Sequence, residues 1–402
     1  MNLTILFDLD DTLLKNDIDV FLRAYLHTLS EHVQGLPPGL LVSSLLAATQ
    51  KMIEHRVPDC TLETVFDQHF YPAIGISKED MAGEIASYYR DVFPSLRSLT
   101  QPRPAALRLL QYALDQGYQV AIATNPLFPR EASLQRVAWA GIQLEQTPIR
   151  LVTTYEDFHF TKPHPSYYAE VLARCGWPDH PAVMIGNSLE DDIRPANRLG
   201  LPAYWVQNQE PGETASLPEL SSAGPLENAL DWLKGLEEKE FALQYDQPDS
   251  LVAVLASTPA VLDSWASALS PEEWRHAPAP GEWSTTEVVW HLHDVECEVN
   301  LPRIHRLLHE SRPFFPGEVT DVWAAERNYA AQDGALALDE FKRYRIQLVD
   351  TLARLQPEDW ARPARHAIFG PTSLQELVAF MATHDRNHVR QVMATLSTVK
   401  EI

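Results

Sequence analysis

The sequence has no run of about 18 consecutive apolar residues, the length a membrane-spanning helix needs, so no membrane partner is expected. Cysteine is scarce, with three in 402 residues. Cys60, Cys175 and Cys297 are far apart and odd in number, which argues against a disulfide framework and fits reduced thiols in a cytoplasmic protein. Positive charge is also short: 32 Lys and Arg stand against 55 Asp and Glu, a net charge of −23. A surface of that sign repels polyanions, so nucleic acid is not expected as a partner. Acidic side chains suit a protein that holds divalent cations, although most charge runs simply form solvated faces. No basic stretch precedes the first apolar residues, and Leu3–Phe7 runs straight into acids, so a secretion signal is not expected.

What is present falls into two halves, as the length of 402 residues leads one to expect. Short apolar runs at Leu3–Phe7, Val120–Thr124, Leu151–Thr154, Val183–Ile185 and Ala203–Val206 alternate with amphipathic helical stretches. That alternation predicts an α/β fold with a Rossmann-like, doubly wound parallel sheet. The first connection is too long for a simple crossover. From about residue 16 to 95 it shows only helical periodicity, broken at Gly35-Leu36-Pro37-Pro38-Gly39 and at Pro72, and reads as an inserted helical subdomain. Residues 208–224 are rich in Gly, Pro, Ser and Glu and read as surface loop. A helix from Leu226 to about Ala242 ends in the charged stretch Glu237–Glu240, and a polar linker spans Gln244–Ser250. The expected division is 1–245 and 246–402.

The second half predicts an all-α bundle of four or five helices. Leu251–Leu269 is one helix, and Ser284 with Glu287 and Ser373 with Glu376 form capping boxes that open two others. Leu269-Ser270-Pro271-Glu272-Glu273-Trp274 is echoed by Leu355-Gln356-Pro357-Glu358-Asp359-Trp360, each copy preceding a histidine-bearing helix. A homodimer through this bundle is left open.

Chemistry concentrates at two places. Asp8 and Asp10, spaced i, i+2 at a strand end, can divide the labour of nucleophile and proton donor, with a divalent cation to offset repulsion from a charged phosphate. In the second half His384 and His388, at i, i+4, face one side of a helix and can reach one metal. His291 from the repeat-related helix can supply a third imidazole, which suits Zn, Ni, Fe or Mn. His293 lies about 200° around the helix from His291 and is set aside. Cys297 reads as a small buried residue rather than a nucleophile, while Asp294 and Glu287 are either groups that orient the ligands or simply helix-face charges.

The run Asp8-Leu9-Asp10-Asp11-Thr12 resembles the first signature of the haloacid-dehalogenase-like hydrolases. Thr124 in Ala123-Thr124-Asn125-Pro126, Lys162 in Lys162-Pro163-His164-Pro165 and the run Gly186–Ile193 follow in the family's order. The resemblance implies Asp8 as the residue that becomes phosphorylated and Asp10 as general acid and base. It implies Thr124, Asn125 and Lys162 around the phosphoryl group, and Mg²⁺ held by Asp8, the Asp10 carbonyl and the acidic loop after Ile185. Asn187 stands where many relatives have Asp, which moves the expected carboxylate support to Asp192, with Asp191 as the competing choice; Asp11 reads as turn chemistry. Asp10 favours a phosphatase or phosphomutase over a dehalogenase, and the helical insertion resembles a cap over a small phosphorylated metabolite. Trp283–Asp294 and His384–Gln391 resemble the DinB-like metal-binding bundles, which implies His291, His384 and His388 as ligands to a second metal. That group includes thiol-dependent transferases, so the bundle could itself be the working part, as a transferase or a binding module.

Overall fold

The computed structural model describes residues 2–207, 216–236 and 245–399. Two compact units form, one from Met1–Arg56, Cys60–Val171 and Pro178–Leu243, the other from Val57–Asp59, Leu172–Trp177 and Gln244–Ile402. Among the described residues no helix is long and apolar enough to cross a membrane.

The first unit is built on strands β1 (Thr4–Phe7), β2 (Leu14–Asn16), β3 (Thr100–Pro102), β4 (Gln119–Ile122), β5 (Leu151–Val152), β6 (Ala182–Gly186), β7 (Ala203–Val206) and β8 (Ser221–Gly224). Six of them make one parallel sheet in the order β5-β4-β1-β6-β7-β8. All four residues of β1 and all five of β6 are buried, as central strands covered on both faces require. The five strands expected from apolar runs are all in this sheet, and the fold class read from the sequence is the observed one. β8 corrects the reading of 208–224 as loop: its sequence Ser-Ser-Ala-Gly has no apolar run, and it pairs as an edge strand on β7. Residues 208–215 of that stretch, and the charged stretch 237–240, lie outside the described residues.

The inserted subdomain holds α1 (Ile18–His32), α2 (Pro38–Glu54), α3 (Leu62–Ile74) and α4 (Lys78–Ser87), followed by a π turn and a 3₁₀ segment that ends at Leu99. It is longer than the 16–95 expected, and its two ends are clasped by an antiparallel pair, β2 on β3, three residues each. Strands that short carry no readable alternation. Pro72 does not break a helix either. It sits in the last turn of α3, which runs on to a left-handed Gly75. The core helices are α5 (Pro104–Asp115), α6 (Arg130–Trp139), α7 (Pro165–Arg174), α8 (Arg194–Arg198) and α9 (Leu226–Gly235).

The second unit contains α10 (Pro248–Ala266), α11 (Pro271–Trp274), α12 (Thr285–Val295), α13 (Leu301–His309), α14 (Trp323–Glu326), α15 (Gly334–Ala353), α16 (Pro357–Trp360) and α17 (Leu374–Leu396). Helices α10, α12, α15 and α17 pack on one another as a four-helix bundle around Leu255, Val289, Leu348 and Val378. The capping boxes at Ser284 and Ser373 are both formed, and the two echoed segments are the single-turn helices α11 and α16. A small sheet, β9 (Phe314–Phe315), β10 (Pro363–His366) and β11 (Gly370–Ser373), was not foreseen. Its strands are two to four residues long and two of them contain proline.

Candidate active site and metal centre

Asp8 directly follows β1, at the C-terminal edge of the sheet where open parallel sheets bind ligands. Its amide donates to the Ile185 carbonyl at 2.9 Å, which ties it to β6. Lys162 Nζ donates to Asp8 Oδ1 at 2.7 Å and to Asp192 Oδ1 at 2.6 Å, and all three side chains are buried. Burial is the main influence on Asp8 and raises it; Lys162 opposes this, Asp192 and Asp10 add to it, and the carboxyl is pushed up to about 7. Burial also works against charge on Lys162, but Asp192 and Asp8 together hold its ammonium well above the usual lysine range.

Asp192 reaches this position from a π turn, Leu189–Ile193, whose N-terminus is capped by Ser188. Its Oδ2 accepts from the Ser188 amide at 2.9 Å. A Cβ on Gly186 would collide with the Asp192 carboxylate, so glycine there is what lets the carboxylate approach. Asp191, the competing choice, turns its carboxylate to the Ser188 hydroxyl at 3.1 Å. Asn187 Oδ1 accepts from Thr12 Oγ1 at 3.5 Å. Asp11 has a left-handed backbone, φ 52°, and its carboxylate accepts the Asn16 amide at 3.1 Å, which is local turn chemistry.

Asp10 lies two residues beyond Asp8 but its carboxylate is held by other groups. Oδ1 accepts from Asn16 Nδ2 at 2.8 Å, and Oδ2 pairs with the guanidinium of Arg136 on α6. Arg136 is buried and stacks against Phe128, 4.8 Å from its ring centre. Thr124 is buried two residues past β4, and its carbonyl accepts from Tyr167 Oη at 2.7 Å and Thr153 Oγ1 at 2.5 Å. Asn125 Oδ1 accepts the Lys162 backbone amide at 3.3 Å, linking the loops that follow β4 and β5. Asp8, Asp10, Thr124, Asn125, Lys162, Asn187 and Asp192 thus share one cavity of about 630 Å³. The donors here are hard oxygens, and two buried carboxylates face a single ammonium. Both features fit Mg²⁺.

In the second unit the three predicted imidazoles meet. His384 Nε2 lies 3.0 Å from His291 Nε2 and 3.2 Å from His388 Nε2. Burial, then the neighbouring imidazoles, lowers His291 to about 3 and His388 to about 4, so both stay neutral, the form that binds metal. Gln391 Oε1 lies 2.9 Å from His388 Nδ1, which places the proton on Nδ1 and leaves Nε2 free to coordinate. His291 Nδ1 is buried with no partner among the described residues. Trp283 stacks parallel to His388, 6.1 Å between ring centres. Three convergent imidazoles fit a divalent transition metal.

His293 turns to Asp294 at 2.8 Å, away from the cluster. The expectation that Asp294 and Glu287 orient the ligands does not hold. Glu287 is spent on its capping box with Ser284. Asp294 accepts from Tyr329 Oη at 2.6 Å, from Arg327 and from His293. Gln391 holds His388 instead, while Asp385 lies 3.9 Å from His384 and is itself fixed by Arg345. Arg345 is buried and also binds Glu296 Oε1 at 2.6 Å and the Leu255 carbonyl at 2.7 Å. Burial pushes the Cys297 thiol up to about 11, which disfavours a thiolate.

Sequence reasoning missed Arg136, Asn16 and Arg345. Arg136 and Arg345 act through long-range contacts, and Asn16 reaches back six residues to Asp10; nothing local in the sequence marks them. Gln391 and Trp283 stood inside quoted motifs, yet only the packing shows what they touch.

The profile of haloacid dehalogenase-like hydrolases matches residues 3–200, and that of the DinB superfamily matches residues 255–392. Residues 3–200 thus form a haloacid dehalogenase-like hydrolase domain, an enzyme domain, and residues 255–392 a DinB-like domain. Among curated relatives, a glyceraldehyde 3-phosphate phosphatase of Methanopyrus kandleri is 24% identical over 235 residues, 56% of this chain and 94% of that protein. The pyrophosphatase PpaX of Bacillus pumilus is 23% identical over 189 residues, 47% of this chain and 76% of its own. Among solved structures, a probable metal-dependent hydrolase of Bacillus subtilis with a four-helix bundle topology is 18% identical, covering 39% of this chain and 89% of its own, with a TM-score of 0.35.

Proposed function

We propose that the N-terminal unit is a Mg²⁺-dependent phosphatase that hydrolyses a phosphomonoester through an aspartyl-phosphate on Asp8. The boundary with the DinB-like bundle falls near residue 245. The observation that carries this reading is the buried Asp8–Lys162–Asp192 cluster at the strand end, with Asp10 two residues on in the same cavity. Relatives named as a phosphatase and a pyrophosphatase support phosphoryl chemistry.

The Asp8 carboxylate attacks phosphorus, and the bond to the leaving oxygen breaks as that oxygen takes a proton from Asp10. Asp10, now ionised, takes a proton from water, and the hydroxide oxygen attacks the phosphoryl group to release inorganic phosphate and restore Asp8. Lys162 offsets charge on the phosphoryl oxygens, and the Thr124 hydroxyl with the Asn125 amide donates to them. Asn16 and Arg136 position the Asp10 carboxylate. Asp8, Asp192 and the Asp10 carbonyl would hold Mg²⁺, with Asn187 beside them; when bound it shields the nucleophile from the substrate's negative charge. In the bundle, His291, His384 and His388 would hold a second, transition metal.

The test is phosphate release from p-nitrophenyl phosphate with Mg²⁺ and with EDTA, in the full chain and in Asp8→Asn. Release with Mg²⁺ alone, abolished by Asp8→Asn, is expected. Full turnover in Asp8→Asn would sink the mechanism. Isomerisation of a sugar phosphate without phosphate release would mark a phosphomutase instead.

A further inference from the structure

The cavity that holds Asp8 has two unlike ends. One carries the acids, Thr124 and Lys162. The other is walled by the inserted subdomain, with Leu22, Leu41, Leu45, Phe66, Phe70 and Ile85 among its lining residues. No Asp, Glu, Lys or Arg between residues 18 and 99 lines it. Its polar groups there are few, and several are engaged with one another or with the backbone. The Tyr25 and Tyr89 hydroxyls bond each other at 2.9 Å. Thr49 Oγ1 donates to the Leu45 carbonyl at 2.9 Å, and the Gln50 amide donates to Glu54 at 3.1 Å. Phe128 and Tyr155 from the core side add further aromatic surface.

A sugar or polyol phosphate bound at the acidic end would push several hydroxyls against this wall. Each hydroxyl left without a partner costs about 1–3 kcal/mol, so such esters are selected against. An alkyl or aryl group meets the opposite situation, because every methylene it buries is favourable. The volume of about 630 Å³ also far exceeds what a bare phosphate needs. We infer that the substrate is the phosphate monoester of a bulky apolar alcohol, with its hydrocarbon lodged between α1, α2, α3 and the core. This inference rests on the phosphatase reading and deepens it: the cap selects by hydrophobic fit rather than by hydrogen bonds to a sugar.

The test is a homologous series, ethyl, butyl, hexyl and octyl phosphate, set beside glycerol phosphate and ribose 5-phosphate, with the full chain and Mg²⁺. The expected result is kcat/KM rising by up to about fourfold per methylene until the cavity is filled. Glycerol and ribose esters should fall at or below the ethyl ester. Ile53→Gln and Ile85→Gln, both at half-buried wall positions, should lower the octyl-to-ethyl ratio at least about fivefold. A folding defect would lower both rates together and leave the ratio unchanged. Phosphate release with a flat series, or with glycerol or ribose phosphate preferred, overturns the apolar substrate and leaves the phosphatase standing. No Mg²⁺-dependent release from any ester overturns both.

Discussion

The two halves of this chain assemble polar clusters in opposite electrical styles. In the first unit, charge is buried and incompletely balanced: Asp8 and Asp192 share one Lys162, and burial with like-charge neighbours pushes Asp8 up. In the second, the convergent groups are three imidazoles, of which His291 and His388 are driven to the neutral form by burial and by one another. The first is a site under electrostatic tension that an arriving phosphate and a hard cation would change. The second is a set of imidazoles that converge on one point, as donors to a metal would. A cluster of titratable groups is therefore not by itself a catalytic site; what matters is whether its charge is left uncompensated where a substrate can reach it. The acid cluster opens on the substrate-sized cavity, and His384 lines a smaller hollow, of about 290 Å³, with Phe380 and Asp321.

The sharpest break in the comparison is Asp8→Asn. Phosphate release should fall by at least about 10⁴-fold, read by a coupled phosphate assay, because a nucleophile acting with its partners is lost as a unit. Metal bound at the histidines, measured by mass spectrometry after dialysis, should be unchanged. Next is Arg345→Met. Glu296 and Asp385 are 0% and 1% exposed and would be left without their cation. The loss should be about 3–5 kcal/mol in urea unfolding of the C-terminal transition, and an unchanged midpoint there would show that the network stabilises nothing. His384→Ala removes the imidazole common to both close contacts. Metal affinity should drop at least about 100-fold while p-nitrophenyl phosphate turnover stays within about twofold. A matching collapse of turnover would join the two sites functionally. Arg136→Met should lower kcat about 10–100-fold, with KM little changed, by freeing the Asp10 carboxylate. The smallest effect is Ser373→Ala at the entry of α17, about 1 kcal/mol in thermal or urea unfolding.

The legible parts of this molecule were those written in consecutive residues. Buried strands such as Thr4–Phe7 carry their apolar run openly, and capping boxes announce α12 and α17 three residues ahead of their apolar faces. The acids, Thr124 and Lys162 were readable as one set because their motifs follow one another in the order of the family they resemble. The rest was hidden for physical reasons. β2 and β3 are too short to show alternation, and β8 is polar because an edge strand need not be buried on both faces. Pro72 misled because it breaks nothing: α3 runs only two residues beyond it, to Ile74, before left-handed Gly75 ends the helix. Arg136 and Arg345 are long side chains that act across 126 and 40 or more residues of sequence, and no local pattern distinguishes them from solvated arginines. Glu287 shows the reverse case: a local signal, the capping box with Ser284, accounts for it.

Gly186 bears on how this sequence can drift. It sits at the end of a fully buried strand, and any Cβ there would occupy space already taken by the Asp192 carboxylate. Asp192 in turn shares Lys162 with Asp8. A single methyl group at residue 186 would therefore displace a carboxylate, loosen an ammonium and unsettle the nucleophile in one step. Among the described glycines whose added Cβ would meet a neighbour, Gly186 would bring it closest, so this position is the least free to vary.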